Sequence, residues 1–449
     1  IGAGIVGLAL AVALNAFDDE QKFAIDLYEA TAELSEIGAG INVWPRIWQC
    51  LKESGLEETL LPLLDHYPDL KPRILFEIRK ADQENGFKIT DAVKEGGMLG
   101  VHRADFQRCF IEHLPLLGSN VKMNSTCNLH LSHRLIDYDP NITHSSTPPR
   151  FTLHFADNPS TTCDILIAAD GIKSTIRRFF LSRLPNPEKY EKFIEPVWSG
   201  SMTYRGIVDK NDLRKINPDH RALGDLGLMY MGKKRHCIIY PVSGGKSINV
   251  AAIVHDQSKK GTSWQGPWNQ EVTQDEFFDA FKGWDEEFQD LIRCIPRPTR
   301  WALHSLNHLD VFAKDGVFLI GDAAHAMLPF QGAGAGVGIE DAYILASLLT
   351  QDSISHPLSD ERLACLVEAY NTIRVPQATS ASKASADQAE LYGLESRGFE
   401  HFKQGDDVPR EKLVELIRFA EQSWSWTASS PEGDRKRAIE LLRETIAHL

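Results

Sequence analysis

The amino-acid sequence predicts an α/β protein in which a parallel-sheet domain is interleaved with a β-rich domain and followed by a helical region. Three observations support this prediction. A glycine-rich turn at residues 2–7 opens an apolar helix, and short apolar strands at 165–169 and 316–320 each end in a polar turn. Residues 193–255 consist of short β-rich runs separated by turn residues. Because these runs divide the parallel-strand segments, we expect two interleaved domains rather than two successive ones.

The composition limits the classes of protein to which the chain can belong. Its 449 residues are 43% hydrophobic and 24% charged, which is typical of globular proteins. Lys and Arg number 48 and Asp and Glu 62, and this net charge of −14 argues against general nucleic-acid binding, because phosphate contacts need clustered cations. The sequence contains no uninterrupted run of about 18 apolar residues, which is the length that a membrane-spanning helix needs. The seven cysteines form no CxxC pair, so we expect a cytoplasmic protein without a zinc site or disulfide framework.

Changes of pattern along the chain predict the domain boundaries. Residues 275–293 have the apolar spacing of one amphipathic helix. Trp424 and Trp426, in the helical C-terminal region, are expected to belong to a packing cap or a dimer surface. The predicted ranges are 1–72, 91–192 and 302–355 for the parallel-sheet domain, 73–90 and 193–301 for the β-rich domain, and 356–449 for the C-terminal region.

The first motif that indicates chemistry is Gly2-x-Gly4-x-x-Gly7, which has the spacing of the dinucleotide-binding fingerprint. The first glycine permits a tight turn, the second lets the backbone approach a pyrophosphate, and the third allows close packing. Glu29 follows at the end of a predicted strand, where an acidic side chain can bind a ribose hydroxyl. The alternative is an ordinary glycine-rich turn with a surface glutamate.

Two further turns follow apolar strands. Gly321-Asp322 precedes a glycine-rich helix start, and Asp170-Gly171 precedes a second helix. An aspartate at a strand end can bind a ribose or ribitol hydroxyl, and a glycine-rich helix start presents free N–H groups to an anionic ring edge. Each turn alone is also explained by helix capping. Their order and spacing together are far more specific.

In this order, the motifs resemble those of single-component FAD-dependent aromatic hydroxylases of the para-hydroxybenzoate and salicylate hydroxylase family. The resemblance covers nearly the whole chain and is greatest to fungal salicylate-hydroxylase-like monooxygenases. The closer likeness lies in the stretches 36–41 (EIGAGI) and 328–334 (LPFQGAG), and Arg103 matches the family arginine that contacts the flavin. The resemblance implies a Rossmann-like FAD-binding domain interleaved with a β-sheet substrate domain.

The resemblance also implies the cofactors and their chemistry. NADH or NADPH reduces FAD, and O2 then forms a flavin C4a-hydroperoxide that hydroxylates a phenol ring. The amides of Gly334 and Ala335 would stabilise negative charge on the reduced flavin. No cysteine or histidine lies in a recognisable flavin-linking motif, so we expect non-covalent FAD. The expected cofactor-binding residues are Gly2, Gly4, Gly7, Glu29, Gly40, Arg103, Asp170, Asp322, Gly334 and Ala335.

The substrate side of the site is expected on the β-rich domain. Arg205 and Tyr240 resemble strand residues that hold a phenolate in related fungal enzymes; Arg is always cationic and offers forked donors, and Tyr can donate to the same oxygen. Pro329 is grouped with them as a candidate catalytic residue. The alternative is a structural Arg–carboxylate pair and a tyrosine in the core. His102, His236 and His304 lack metal-ligand spacing, so no metal site is expected.

Two residues near the Gly321-Asp322 turn modify this picture. His325 is expected to pack near the cofactor, with direct proton transfer as the alternative. Phe330 occupies a position where related salicylate hydroxylases usually carry His. This departure weakens the assignment of salicylate itself and suits a bulkier or alkylated phenol.

The predicted function is hydroxylation of a phenolic substrate, a hydroxybenzoate-type acid with oxidative decarboxylation. The alternative within this class is hydroxylation or oxidative dearomatisation of an alkylated phenol in fungal secondary metabolism without loss of CO2. A squalene-type flavoprotein epoxidase is disfavoured because the chain has no basic amphipathic anchor. A non-enzymatic flavin-binding protein would leave Arg205 and Tyr240 unexplained. The expected partner is a small phenol, with no nucleic acid or membrane, and the chain is expected to be a monomer or homodimer.

Overall fold

The computed structural model describes residues 1–20, 22–34, 40–114, 126–141, 149–354 and 357–449. The helices are α1 (Ile5–Phe17), α2 (Pro45–Glu53), α3 (Glu57–Leu60), α4 (Arg103–Glu112), α5 (Thr175–Ser182), α6 (Lys210–Ile216), α7 (Gln274–Ala280), α8 (Glu286–Arg293), α9 (Asp322–His325), α10 (Gly334–Leu349), α11 (Asp360–Tyr392), α12 (Arg410–Gln422) and α13 (Glu432–Ala447). None of these helices, in the part of the chain that is described, is long and apolar enough to cross a membrane.

The described strands form five sheets, and two systems among them, one with parallel pairs and one mainly antiparallel, position the site. They are β1 (Ala24–Tyr28), β2 (Gly40–Val43), β3 (Pro72–Lys80), β4 (Phe87–Glu95), β5 (Leu99–His102), β6 (Thr126–His130), β7 (Leu135–Pro140), β8 (Phe151–Phe155), β9 (Thr161–Cys163), β10 (Leu166–Ala168), β11 (Val197–Asp209), β12 (Gly227–Gly232), β13 (Arg235–Val242), β14 (Ser247–His255), β15 (Asn269–Glu271), β16 (Thr299–Ser305), β17 (Ala313–Lys314) and β18 (Val317–Leu319).

The parallel system is joined through the first two residues of the chain. Strand β1 pairs with β6 and strand β10 with β18, both in parallel. Between them, the amino group of Ile1 donates to Ile167 O at 2.7 Å and Ala169 N donates to Ile1 O at 2.8 Å. Gly2 N donates to Tyr28 O at 2.8 Å. The glycine-rich turn therefore begins at the carboxyl ends of the parallel strands, where open α/β sheets bind their ligands.

Helix α1 packs closely against helix α10 beside this sheet. A Cβ on Gly338 would lie 2.5 Å from a methyl carbon of Val6 and 3.0 Å from the Cα of Gly321. Real side chains do not approach so closely, so only glycine fits at this crossing. Leu8 and Ile344 are fully buried in the same core. The turns at the starts of both helices are consequently held next to each other.

The second system is an eight-stranded sheet in the order β15-β16-β11-β14-β13-β12-β3-β4. All its pairs are antiparallel except β12 with β3. Successive side chains on a strand point to opposite faces. On β11, Tyr204 stacks on Phe277 of α7 with ring centroids 5.1 Å apart, so Thr203 and Arg205 lie on the opposite face. That opposite face forms the wall of the cavity described below.

The prediction of one helix over residues 275–293 is wrong. Helix α7 ends at Ala280 and helix α8 begins at Glu286. Gly283 between them has φ +83°, a left-handed conformation that favours glycine. Asp285 then caps α8, its Oδ1 accepting from Phe288 N at 2.9 Å. The apolar period continues across the break because both helices cover the same sheet face.

The C-terminal region covers the junction of the two sheet systems. Helix α11 runs along α10, and helix α12 packs against strand β4. Trp424, which is 7% exposed, meets Trp44 edge-to-face with ring centroids 5.2 Å apart. Trp424 therefore packs in the interior, as expected for a packing cap, and this contact accounts for part of its surroundings.

Candidate active site

The three motif glycines have different roles in the turn. Gly2 has φ +98°, and a Cβ there would lie 2.3 Å from Ala169 O, while a Cβ on Gly7 would lie 2.0 Å from Gly2 O. These two glycines are required by the backbone. A Cβ on Gly4 would meet nothing within 4 Å, and Gly4 precedes α1 without a side-chain cap. The first amides of α1 are therefore open to a phosphate group.

Glu29 lies beside this turn at the carboxyl end of β1. Its Oε2 accepts from Ala3 N at 3.1 Å, and its Oε1 accepts from Thr31 N at 3.0 Å. Oε1 also accepts from Thr31 Oγ1 at 3.0 Å, whereas Oε2 can accept a further hydrogen bond. The geometry therefore fits the expected role of Glu29 toward a ribose hydroxyl.

Asp170 is engaged mainly by its own turn. Ser174 Oγ donates to Asp170 Oδ1 at 2.5 Å, and Ile176 N donates to Oδ2 at 3.2 Å. Ser174 Oγ in turn accepts from Arg177 N at 2.8 Å. The capping alternative thus accounts for the contacts of Asp170. Its role toward a cofactor stays a prediction.

Arg177, to which sequence reasoning assigned no role, joins the two aspartate turns. Its guanidinium donates to Ile172 O at 2.6 Å and to Ala323 O at 3.1 Å. The side chain is 1% exposed, and burial lowers its pKa to about 10, so it remains cationic at neutral pH. Its position in the run DGIKSTIR was visible in the sequence, but no pattern there reveals a partner almost 150 residues away.

The Gly321-Asp322 turn is anchored by Asp341 of α10. Asp341 Oδ2 accepts from Gly321 N at 2.8 Å and contacts His325 Nε2 at 2.5 Å. Asp341 Oδ1 accepts from Arg374 Nε at 2.7 Å. Burial alone would raise the pKa of Asp341, but His325 and Arg374 outweigh it and hold that pKa below its ordinary value. His325 therefore packs beside the turn and orients it.

Asp322 and Arg103 face the crevice without a hydrogen bond or ion pair to any described residue. Desolvation in the crevice raises the pKa of Asp322, while His325, Arg103 and Arg177 oppose the rise. Both side chains are exposed. These two exposed, opposite charges are available to a ligand that carries hydroxyl groups and phosphates.

The start of helix α10 is also open. The helix begins at Gly334 after Ala333, which provides no side-chain cap. Gly332 has φ +57°, and a Cβ there would lie 2.5 Å from Asn42 Nδ2. The amides of Gly334 and Ala335 therefore face an anion site of the kind that helix N-termini form. Of the stretch 36–41, residues 36–39 lie outside the described residues.

These features fit FAD. The open start of α1 suits the pyrophosphate, Glu29 a ribose, and Asp322 the ribitol chain. The uncapped start of α10 suits the anionic edge of the reduced flavin ring. When bound there, FAD would supply the redox chemistry, and Gly40 and Pro329 would border its ring.

A cavity of about 390 Å³ adjoins this crevice, with the eight-stranded sheet as its wall. The structure brings the three candidate catalytic residues, Arg205, Tyr240 and Pro329, to this one cavity, together with Gly40 and Gly332. They come from three distant segments of the chain, which the fold places side by side. Their catalytic roles stay predictions.

Arg205 is a cation without a carboxylate partner among the described residues. Its guanidinium lies 5.8 Å from the ring centroid of Trp301. Burial raises the pKa of Tyr240 and Arg205 opposes the rise, so the Tyr240 phenol is a neutral donor at pH 7. The alternative of an Arg–carboxylate pair does not describe this Arg205.

The remaining walls are largely apolar, and the C-terminal region closes the cavity on one side. Lys94 Nζ donates to Glu421 O at 2.7 Å, next to Trp424, which lines the cavity. Phe330 also lines it and meets His236 and His255 edge-on, each with centroids 5.4 Å apart. Sequence reasoning missed the contribution of Trp424, because periodicity shows that a residue is buried but not which distant site it borders.

Fold and site together define a flavoprotein oxidoreductase, with a dinucleotide crevice open toward an apolar cavity. Residues 1–385 match the model of a family described as FAD binding domain. The chain belongs to this family.

Curated relatives refine the class. The chain is 36% identical to a salicylate hydroxylase of Pseudomonas putida over 404 residues, which cover 88% of this chain and 85% of the relative. It is 28% identical to the 6-methylsalicylate 1-monooxygenase of Aspergillus terreus, over 88% of this chain and 83% of the relative. A solved salicylate hydroxylase substrate complex superposes with a TM-score of 0.78 at 31% identity, covering 98% of this chain and 96% of that one. The chain is an FAD-dependent aromatic monooxygenase of the salicylate hydroxylase type.

Asp322→Ala should weaken FAD retention, because the crevice loses its carboxylate acceptor. A lost charge-assisted hydrogen bond costs about 1.5–3 kcal/mol, or roughly ten- to a hundredfold in Kd. The Kd is measured by fluorescence titration of the deflavinated variant with FAD. Asp225→Ala, at a fully exposed site, is the matched control. Equal FAD affinity in both variants would contradict the assignment of Asp322.

Asp341→Asn should lower the free energy of unfolding by about 3–5 kcal/mol at pH 7, because Arg374 loses one of its two buried carboxylate partners, Asp341, and keeps only Glu340. The folded pKa of Asp341 is below its ordinary value. Its stabilisation is therefore present above about pH 4 and is lost as the pH falls through the folded pKa. Urea unfolding at pH 7 and pH 3 should show the difference from wild type shrinking at pH 3. A difference independent of pH would contradict this linkage.

Proposed function

We propose that the enzyme binds its phenolic substrate as the phenolate between Arg205 and Tyr240. We further propose that it hydroxylates a hydroxybenzoate-type acid at the carbon bearing the carboxylate, with loss of CO2. The observation that carries the proposal is Arg205, a cation without a counter-ion among the described residues, on the wall of a largely apolar cavity that adjoins the FAD crevice.

The electrostatics of this wall favour an anion. A cation facing apolar surroundings is costly unless it is paired. A phenolate would supply the missing negative charge to the Arg205 guanidinium, and the Tyr240 hydroxyl would donate a hydrogen bond to the same oxygen. Deprotonation makes the ring more electron-rich, which is what an electrophilic oxygen donor requires.

The protein also has to position the ring and exclude water. Thr203, Ala251 and Ile253 belong to the wall beside Arg205, and Trp424 closes the cavity from the C-terminal region. When bound, FAD would supply activated oxygen, and a dry cavity would preserve it for the substrate. Pro329, at the start of the loop leading to α10, would limit how the ring sits against the flavin.

The choice of a hydroxybenzoate-type acid rests on the relatives. Two of them are named salicylate hydroxylase and 6-methylsalicylate 1-monooxygenase. Transferred to this chain, those names favour an acid whose carboxylate is lost when the neighbouring phenolate directs hydroxylation to its carbon.

A second candidate is hydroxylation or dearomatisation of an alkylated phenol without loss of CO2. Phe330 and the apolar residues Phe76, Met98, Met229 and Ile417 line the cavity and favour it. Such walls would accommodate an alkyl substituent better than a second charge.

Incubation with carboxyl-labelled hydroxybenzoates distinguishes the two candidates. We expect one labelled CO2 for each hydroxylated product, because oxygen enters at the carboxylated carbon. Label is counted in trapped CO2 while the product is identified by mass spectrometry. Hydroxylated product that retains the label would refute decarboxylation and support the second candidate.

Arg205→Lys should fail to restore substrate binding that Arg205→Ala loses, because a compact ammonium cannot reproduce the forked geometry. We expect the substrate Kd to rise about ten- to a hundredfold in both variants, with a normal flavin spectrum. The Kd follows from the flavin absorbance change on titration with the phenol. Arg300→Ala is the control, since Arg300 on β16 is paired with Glu276 at 2.7 Å. Wild-type affinity in Arg205→Ala would show that Arg205 is structural.

A further inference from the structure

Two polar side chains on the cavity wall are buried without a hydrogen-bond partner among the described residues. Asn249 is 4% exposed and its Nδ2 has no acceptor, and Thr203 is 5% exposed and its Oγ1 has no partner. Both residues line the cavity. An unsatisfied buried polar group costs about 1–3 kcal/mol and is rare in native proteins. Both groups lie on the cavity wall, where a bound ligand would supply the missing partner.

The register places Asn249 next to the proposed phenolate site. Strand β14 lies between β11 and β13. Asn249 is directly opposite Tyr240 on β13, and Ala251, two residues further on the same face, is opposite Arg205 on β11. Opposite residues have Cβ atoms about 5 Å apart and diagonal ones about 7–8 Å. Asn249 is therefore directly opposite Tyr240 and diagonal to Arg205, the two residues proposed to hold the phenolate.

The Asn249 amide donates to no group on the described wall, and Tyr240, directly opposite, makes no hydrogen bond to it. Its neighbours on the same face include Ala251 and, opposite that residue on β13, Ile238. Neither side chain has an acceptor. Thr203 lies four residues away in register, because Thr203 is opposite Ile253, which corresponds to about 13 Å along the strand. Asn249 is thus close to both Arg205 and Tyr240, whereas Thr203 is too far from Asn249 to be its hydrogen-bond partner.

We propose that Asn249 determines specificity by donating a hydrogen bond from Nδ2 to a second oxygen of the substrate. This oxygen would be carried by the ring carbon next to the phenolate, as in a 2-hydroxybenzoate or a 2-hydroxybenzaldehyde. The inference rests on the proposed function, in which Arg205 and Tyr240 bind the phenolate. An oxygen on the neighbouring substituent stays close to the phenolate oxygen, whereas an oxygen in the 4-position lies across the ring.

Asn249→Leu tests the inference, because leucine has the same branching and the same number of side-chain heavy atoms but no polar group. We expect kcat/KM for 2-hydroxybenzoate and 2-hydroxybenzaldehyde to fall about ten- to a hundredfold. The values for 4-hydroxybenzoate and 2-alkylphenols should change less than about twofold. The Tm of the ligand-free variant should equal or exceed that of wild type, because a buried unpaired donor is removed. FAD content should be unchanged.

Thr203→Val is the comparison variant, since it removes the other unpartnered group on the same wall. We expect Thr203→Val to change kcat/KM by the same factor for the 2-hydroxybenzoate and 2-hydroxybenzaldehyde set and for the 4-hydroxybenzoate and 2-alkylphenol set. A lower Tm for Asn249→Leu with both substrate sets weakened equally would show that Asn249 serves the fold. A loss of kcat/KM in Asn249→Leu confined to 4-hydroxybenzoate would mean that Asn249 binds an oxygen across the ring from the phenolate. Either result would overturn the inference.

The failure of the inference can be distinguished from failure of the proposed function. If wild-type enzyme oxidises no phenol in the panel, the proposed function fails. If wild type prefers 2-hydroxybenzoates over 4-hydroxybenzoates and Asn249→Leu retains that ratio, the role of Asn249 alone is refuted.

Discussion

The arrangement of the site depends on a buried charge network centred on Glu340 and Asp341 of helix α10. Glu340 accepts from Arg46 at 2.6 Å and from Arg374 at 2.7 Å, and Asp341 binds Arg374 and the Gly321 amide. Buried charges are tolerated only when they are paired and hydrogen-bonded, and losing one partner is costly. The network therefore fixes helices α2, α10 and α11 relative to the turn at residues 321–322.

The charged groups Arg177 and Asp341 of the interior differ from the charged groups of the crevice and cavity in how they are paired. Inside, Arg177 and Asp341 have their hydrogen bonds filled by protein groups. At the crevice and cavity, Asp322, Arg103 and Arg205 carry charges that no described residue neutralises. A rigid interior that leaves such groups unpaired is prepared for a ligand, because the ligand does not have to displace existing partners. The C-terminal region completes this arrangement by closing the cavity.

The features of the fold and site that could be predicted from the sequence are local in the chain. The glycine spacing Gly2-x-Gly4-x-x-Gly7 encodes its own turn, and the fold class and FAD are confirmed by the family match and the solved structure. The role of Asn249 depends on strand register, which no local pattern contains. The division of residues 275–293 into two helices was missed because the apolar period continues across the break at Gly283. The individual site residues stay predictions.

The proposed function depends on stabilisation of a phenolate by Arg205 and Tyr240 on the cavity wall. The most direct measurement is the absorbance titration with pH of a nitro-substituted 2-hydroxybenzoate bound to the enzyme, whose phenolate absorbs visible light. A nearby cation favours the charged form, so the pKa of the bound phenol should be lower than in water, and Arg205→Ala should abolish the shift. A bound pKa equal to or above that of the free phenol would mean that desolvation dominates and that Arg205 does not stabilise the phenolate.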